Sequence, residues 1–182
     1  KDYKCQYCGK EFRKESTLAA HLCEPKRRAQ QEHEPGVKLG MTAYLRFYEL
    51  TQGSAKFKTY ADFSTSPYYN AFVKFGRHMV NIRAINTQKF IDWVIGKNKK
   101  LDYWTKDIVY QEYLFEHLRT EATADALERS IKTMETWAEE KESIFNHYFC
   151  YVNSNVFVKD ITTGRISSWI IYNCTSGQDA LN

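Results

Sequence analysis

The chain has 182 residues, of which 43% are hydrophobic and 26% are charged, and its formal net charge is +4. This length allows one compact domain plus a small module, and the composition is that of a soluble globular protein. The sequence contains no signal peptide and no apolar run of about 18 residues, which excludes a membrane protein and predicts a cytoplasmic location.

The charge is unevenly distributed along the chain. Lys and Arg outnumber Asp and Glu by nine to six in residues 1–40 and by twelve to seven in residues 41–119, whereas residues 120–182 have five against nine. A net charge of +4 does not by itself indicate a nucleic-acid-binding protein. Its distribution predicts a basic face in the first two thirds of the chain and an acidic remainder.

The stretch CQYCGKEFRKESTLAAHLC, residues 5–23, has the spacing of a metal site. Two residues separate Cys5 from Cys8, so one tight turn can direct both thiolates at one ion. Gly9 supplies the backbone freedom that such a turn needs. His21 lies at the end of a segment that predicts a short helix, where its imidazole can be a third ligand.

Two apolar residues, Phe12 and Leu18, are spaced to form a miniature core between a hairpin and this helix. Ser16 or Thr17 is predicted to cap the helix. In this arrangement residues 3–23 resemble the C2H2 zinc-finger family. The resemblance implies a ββα fold around a Zn²⁺ ion.

The fourth ligand departs from the family pattern, because the positions where it is expected are occupied by Pro25-Lys26-Arg27. Cys23 is the predicted substitute, and His33 is the alternative. Residues two apart point in nearly opposite directions on a helix, so the helix must end at His21 or Leu22 if Cys23 is to share the ion. Four protein ligands leave no exchangeable position, which predicts a structural rather than a catalytic zinc. The predicted metal ligands are Cys5, Cys8, His21 and Cys23.

The total of five cysteines is odd. Cys150 and Cys174 lie far apart in sequence, in apolar or Ser/Thr-rich surroundings. The pattern therefore predicts a metal site and two buried thiols rather than a disulfide framework.

Basic residues in the finger, directly after it and in the loop at 96–100 are candidates for contacts with nucleic-acid phosphates. A solvated charged helix and a protein-binding finger are the alternatives for the first two groups. The candidate nucleic-acid-binding residues are Lys10, Arg13, Lys14, Lys26, Arg27, Arg28, Lys97, Lys99 and Lys100.

Other basic residues of the middle region alternate with aromatic ones, a combination that binds single-stranded nucleic acid through phosphate contacts and base stacking. The alternative places the aromatic residues in the core and the lysines on an ordinary surface. The interleaved residues are Lys56, Lys58, Lys74, Arg77 and Arg83, with Phe57, Tyr60, Tyr68, Tyr69, Phe75 and Tyr103.

The predicted fold is mainly α, with a small ββα zinc finger followed by an all-α helical domain. The predicted divisions are a zinc finger at 1–24, a basic connector at 25–36 that ends at Pro35-Gly36, and a helical domain at 37–182. Start and stop signals predict the helices of the large domain. They are predicted over 41–53, from Ser66 with Pro67 in the first turn, from Asn86 to Gly96, from Thr105, from Thr123, and on both sides of Gly164.

No signature of catalysis is present: the sequence has no phosphate-binding glycine loop, no paired-histidine helix motif and no nucleophile elbow. Its carboxylates are not paired by motif. His78, His117 and His147 are separate and are interpreted as structural. We therefore expect a protein that is not an enzyme, with no catalytic residues and no small-molecule substrate.

Three segments between Ala43 and Trp137, AYLRFYEL, SPYYNAFVKFGR and KFIDWVIGKN, resemble the helicase-loading proteins of T4-like phages. That family has a two-domain, all-helical fold. The resemblance implies binding of forked or single-stranded DNA, contacts with replication proteins and a location in the infected host cell. In the same phage context, the alternative is a virion structural or assembly protein, such as a tail or baseplate component, or an adaptor whose finger binds a protein.

Overall fold

The computed structural model describes residues 2–53 and 57–182. The chain is divided into two compact units, Lys1–Val109 and Tyr110–Asn182. The mainly α fold is confirmed, since the described residues form one two-stranded sheet at the N-terminus followed by helices. The divisions predicted at residues 24 and 36 stay a prediction.

The first unit opens with a hairpin, in which Tyr3 lies opposite Phe12 and Lys4 opposite Glu11 in an antiparallel pair of strands. Helices then follow one another, with a 3₁₀ turn at Leu101–Tyr103. The elements of this unit are β1 (Tyr3–Lys4), β2 (Glu11–Phe12), α1 (Glu15–Ala20), α2 (Glu24–Gln30), α3 (Pro35–Gln52), α4 (Tyr60–Thr65), α5 (Tyr69–Asn81) and α6 (Thr87–Gly96).

Aromatic side chains form the centre of the first unit. Trp104 is 1% exposed, and its ring lies 5.2 Å from that of Phe75 and 5.9 Å from that of Phe72. Its indole N–H donates to the carbonyl of Lys99 at 3.0 Å, so the polar edge of the ring is satisfied. Tyr69 is buried as well. Tyr69 and Phe75 therefore belong to the core and do not offer a face for base stacking.

The predicted start of the helix over 41–53 is wrong, because α3 already begins at Pro35. Pro35 is tolerated in the first turn, where its missing N–H would have no partner in any case. The two glycines that follow, Gly36 and Gly40, are buried and continue the helix, since they allow its backbone to approach that of α5 at Gly76.

The boundaries of the next helices are partly as predicted. Helix α5 begins at Tyr69 rather than at Ser66. Ser66 instead follows the last residue of α4, and its Oγ accepts the N–H of Tyr68 at 3.1 Å. Helix α4 was not predicted, although Thr59 and Asp62 form a capping box at its start. The Asn86 cap of α6 is confirmed, because its side chain accepts an N–H of the first turn.

The second unit is a set of shorter helices around one long one. The predicted division at Gly164, which has a φ of +74°, is confirmed. One short helix precedes it, and two short helices follow it where one was predicted. A 3₁₀ turn at Phe145–His147 precedes α9. The helices are α7 (Asp107–Thr120, across the boundary between the units), α8 (Thr123–Glu140), α9 (Tyr148–Tyr151), α10 (Ser154–Thr162), α11 (Ser168–Tyr172) and α12 (Thr175–Asp179).

The core of the second unit has polar groups with satisfied hydrogen bonds. The hydroxyl of Tyr148 donates to Oδ2 of Asp160 at 2.7 Å. The buried Ser130 hydroxyl donates to the carbonyl of Ala126 and accepts the N–H of Ser167. These bonds connect α8 to the segment before α11. The apolar members of this core are Met134, Tyr148, Phe149, Phe157, Ile166 and Ile171.

The prediction of two buried thiols is wrong. Cys150 is exposed, since the short helix α9 turns Tyr148 and Phe149 inward and leaves its other face in solvent. Cys174 is half-buried and caps α12, where its sulfur accepts the N–H of Gly177 at 3.2 Å.

Candidate metal centre and basic groove

A tight turn between β1 and β2 positions the first two cysteines. The N–H of Cys5 donates to the carbonyl of Lys10 at 2.9 Å, and the N–H of Gly9 donates to the carbonyl of Cys5 at 2.8 Å. Gly9 has a φ of +75°, a conformation that suits glycine. The turn therefore places Cys5 and Cys8 on one side of the hairpin.

The chain is extended where the other two ligands lie. Helix α1 ends at Ala20, after which His21 has φ −70° and ψ 122° and Cys23 has φ −92° and ψ 163°. Side chains two apart on an extended segment point to the same side. Leu22 between them is 60% exposed. The helix thus ends one residue earlier than predicted, and this ending allows His21 and Cys23 to face one ion.

The predicted cap of α1 is wrong. Ser16 and Thr17 lie inside the helix, and Lys14 occupies the N-cap position without a side-chain hydrogen bond.

The four ligand atoms lie close enough together to share one metal ion. The sulfurs of Cys5 and Cys23 are 3.9 Å apart, Sγ of Cys8 is 3.3 Å from Nε2 of His21, and all four atoms lie within 4.8 Å of one another. Zinc–ligand bonds of ordinary length give tetrahedral edges of about 3.8 Å between sulfurs and about 3.6 Å between sulfur and nitrogen. The four side chains can coordinate a metal ion, and their chemistry and spacing are consistent with zinc.

The thiols of Cys5 and Cys8 have pKa values that are shifted in opposite directions. The N–H of Cys8, donated to the sulfur of Cys5, lowers the pKa of Cys5. The N–H of Lys10 acts in the same direction on Cys8, but desolvation and the sulfurs of Cys23 and Cys5 outweigh it, so the pKa of Cys8 is raised. A bound divalent cation would remove this repulsion, since metal ligation keeps thiols deprotonated.

Apolar and hydrogen-bonding contacts support the ligands. Phe12 and Leu18 are half-buried, and the Phe12 ring lies 4.7 Å from that of His21. Nζ of Lys26 donates to the carbonyl of His21 at 2.9 Å. His33, the alternative ligand, does not belong to the metal-ligating group that residues 2–53 and 57–182 form.

The predicted nucleic-acid contacts of the finger and the 96–100 loop lie at the surface. Lys10 lies above the ring of Phe12 at 5.6 Å, and Arg13 and Lys14 are exposed. The loop residues are exposed as well, with Nζ of Lys97 placed 4.8 Å from the centre of the Trp93 ring. The remaining loop residues are Lys99 and Lys100. Whether these residues contact nucleic acid stays a prediction, and Lys56 lies outside the described residues.

The three basic residues of α2 have different surroundings. Arg28 donates to Glu24 at 2.9 Å and to the carbonyl of Ser64 at 2.7 Å, and its guanidinium lies 4.4 Å from the centre of the Tyr69 ring. Arg28 therefore connects α2 to α4 and α5. Arg27 is exposed and pairs with Glu24. Lys26 bonds to the finger, and Arg27 is the most exposed of the three residues.

A groove of about 750 Å³ lies beside α2 and α5 in the first unit. Among the described residues, four cationic side chains line it: Arg27, Lys74, Arg77 and Lys106. Of the nine residues predicted to bind nucleic acid, only Arg27 lines this groove. Lys74 and Arg77 were among the interleaved basic residues. Lys106 was missed, because no sequence motif surrounds it.

A half-buried histidine also lines the groove. Nε2 of His78 is buried and has no hydrogen-bond partner among the residues that the structure describes. Burial lowers the pKa of His78 below its usual value, and Asp107 offsets only part of this effect. At neutral pH the imidazole is therefore uncharged, and the positive charge of the groove comes from lysine and arginine.

His78 is expected to make the protein less stable in acid. Because its pKa is lowered in the folded state, the unfolded chain binds more protons once the pH falls below about 6.5. The free energy of unfolding should thus decrease from about pH 7 to about pH 5, and it should decrease less in His78→Gln. Urea unfolding at both pH values measures the difference. Both proteins have the same metal ligands, so metal loss affects them equally, and parallel changes would contradict the prediction.

No family profile, curated protein or solved structure matches this chain. The resemblance to phage helicase-loading proteins therefore stays a prediction, whereas the zinc-finger-like site rests on the geometry of its four ligands. Within the described parts of the chain, no helix has both the length and the apolar character that crossing a bilayer requires.

Proposed function

We propose that this chain is a non-enzymatic protein that associates with nucleic acid through its first unit and contains a structural zinc ion. The division of charge between the two units carries the proposal. Lys1–Val109 contains 20 Lys and Arg against 11 Asp and Glu, a net charge of +9, and Tyr110–Asn182 contains 6 against 11, a net charge of −5. A basic unit of this size attracts the phosphate backbone, while the acidic unit is repelled by it.

The zinc ion has a structural role in this proposal. The four side chains would fill all four coordination positions of the ion, so none would be left for water or substrate. The ion would hold the hairpin, α1 and the segment around Cys23 together, because the finger has only Phe12 and Leu18 as its own core.

One finger is not sufficient for tight binding, since each finger of this type contacts about three base pairs and arrays supply the affinity. Arg13 and Lys14 supply two exposed charges at the start of α1. The remaining affinity must come from basic residues of the helices of the same unit. The resemblance to helicase-loading proteins of T4-like phages favours forked DNA as the ligand and a replication accessory role as the function.

The second unit favours a protein partner in addition. Trp169 and Tyr172 on α11 are 54% and 65% exposed, and Tyr151 is 72% exposed. Aromatic residues are enriched in protein–protein interfaces. A phage virion or assembly protein, or an adaptor, is the second candidate function, in which the finger also binds protein.

Binding to a labelled forked DNA tests the proposal. Fluorescence anisotropy should show affinity that falls by about a thousandfold between about 50 and 200 mM salt if six phosphates are contacted. The Arg13→Ala/Lys14→Ala variant should bind less tightly and reduce the slope of log affinity against log salt by about 0.9 for each lost contact. Neither residue forms an ion pair with another described residue, so the fold should be unaffected.

Lys38→Ala/Lys89→Ala is the matched control. It removes two positive charges from exposed positions of α3 and α6, outside the finger and the groove. Loss of affinity confined to the finger variant would support the proposed role of the finger. Absence of binding by the unaltered protein at about 50 mM salt would refute the nucleic-acid function, and the adaptor function would replace it.

A further inference from the structure

Helix α5 presents a stripe of polar side chains along the groove. Asn70, Lys74, Arg77 and Asn81 follow one another at intervals of three and four residues and all line the groove. This stripe is about 16 Å long at 1.5 Å per residue. The opposite side of α5 is the buried one that contains Phe72 and Phe75, so packing against the core fixes the orientation of the stripe.

The other sides of the groove add further donors. Gln31 and Arg27 line it from the α2 side, and Thr105 and Lys106 line it from the segment after the 3₁₀ turn. These groups are hydrogen-bond donors or cations, and Glu24 is the carboxylate that also lines the groove. Glu24 is already paired with two arginines of its own helix.

Two of the four cations have no partner of opposite charge. Lys74 and Lys106 form no ion pair with any residue in the described ranges. Arg77, by contrast, makes a bidentate pair with Glu34, with N–O distances of 2.7 and 2.9 Å. Ammonium groups in a concave, polar surface attract an anion more strongly than the same groups on a convex one. The free charges of the groove therefore lie on Lys74 and Lys106.

We infer that this groove binds the sugar-phosphate backbone of a single nucleic-acid strand, with Lys74 and Lys106 as its main phosphate contacts. The inference rests on the proposed function and assigns it to a specific surface. A volume of about 750 Å³ accommodates a short segment of one strand. The polar lining disfavours an apolar ligand, whose binding sites are lined mostly by hydrophobic side chains.

Exposed aromatic rings flank the lining residues in sequence. Tyr68 directly precedes Tyr69, which lines the groove, and Tyr103 lies two residues before Thr105. Their side chains are 54% and 52% exposed. Each ring is accessible for stacking on a base, and proteins combine such rings with phosphate contacts to bind single strands with little sequence preference.

Lys74→Ala/Lys106→Ala tests this inference in the full-length chain. The probes are labelled oligothymidylate, labelled oligouridylate and a duplex of the same length, all at about 0.1 M salt. Each lost phosphate contact should weaken single-strand binding about fivefold at this salt concentration, so the double variant should bind about 25-fold more weakly. The control Lys38→Ala/Lys89→Ala should change affinity less than about threefold, since distant charges are screened.

The outcomes separate the inference from the proposed function. A large loss of affinity in Lys74→Ala/Lys106→Ala alone, together with tighter binding of single strands than of duplex, would support the groove as the binding site. Comparison of oligothymidylate with oligouridylate would then show whether DNA or RNA is bound more tightly. Equal losses in both variants, or a preference for duplex, would refute the groove while leaving nucleic-acid association intact. No binding of any probe by the unaltered protein would refute both. Thermal melts of the two variants should agree, because all four lysines are exposed.

Discussion

Replacement of Gly76 by alanine is expected to destabilise the first unit by about 3 kcal/mol or more, at the upper end of the cost of overpacking a core. A Cβ atom at this position would lie 1.9 Å from the carbonyl oxygen of Gly36 and 2.4 Å from the backbone nitrogen of Gly40. These are backbone atoms of α3, so no side-chain rotation can relieve the clash. The two helices would have to separate along their whole contact.

The reciprocal geometry shows that this contact is a close helix crossing. A Cβ on Gly40 would lie 2.7 Å from the carbonyl oxygen of Phe72, and a Cβ on Gly36 would lie 3.0 Å from Cα of Arg77. Small residues on both helices are therefore required for α3 and α5 to pack. The gain in helix propensity from glycine to alanine, about 1 kcal/mol, is too small to compensate.

Gly96→Ala is the matched control for Gly76→Ala. Gly96 ends α6, and no atom lies within 4 Å of its hypothetical Cβ. This substitution should be neutral or should stabilise by up to about 1 kcal/mol. Urea unfolding followed by tryptophan fluorescence, which reports on the buried Trp104, measures both variants. Equal unfolding midpoints for the two would contradict the close crossing.

Loss of the metal is the second large effect. Protein purified without chelator should contain about one equivalent of zinc, and Cys23→Ala should contain less than half, because three ligands cannot close the tetrahedral site. The finger should then unfold, since structural zinc supplies most of the folding free energy of such small modules, about 10 kcal/mol or more in isolated finger peptides. Metal analysis and the visible spectrum of the cobalt-substituted protein measure the change.

His33→Ala and Cys150→Ala are the controls for the metal site. Both residues are exposed and lie outside the ligand group, so both variants should keep a full equivalent of zinc. Far-UV circular dichroism of Cys23→Ala should change little, because only the six residues of α1 are helical within the finger. Less than half an equivalent in the unaltered protein, or a loss in His33→Ala equal to that in Cys23→Ala, would disprove the assignment.

Much of the metal site was predictable because its chemistry is local. The spacing of Cys5 and Cys8, the glycine of the turn and the position of His21 are all contained in 19 residues. Cys23 could be proposed because Pro25 follows two residues later and disfavours continuation of the helix. Its position beside the other three side chains depends on the backbone angles, since an extended segment brings residues two apart to the same side.

The helices were predictable from periodicity, but not all of their boundaries. Asn86 and Gly96 have local signals that define α6. The dipeptide Pro35-Gly36 is typical of a loop in sequence. In the structure it lies in the first turn of α3, where Gly36 and Gly40 pack closely against α5 at Gly76. The burial of Tyr69 and the exposure of Tyr68 likewise depend on the direction in which α5 faces the core.

By itself, the sequence determined the mainly α fold, the ligand types of the metal site and the basic character of the first two thirds, because each follows from local spacing or composition. Only the tertiary structure decided which basic residues share a surface. Lys74 and Arg77 on α5 are brought to Arg27 and Lys106 by packing between segments distant in sequence. Contacts between segments distant in sequence depend on which faces of the helices are buried together, and they cannot be predicted from local sequence patterns.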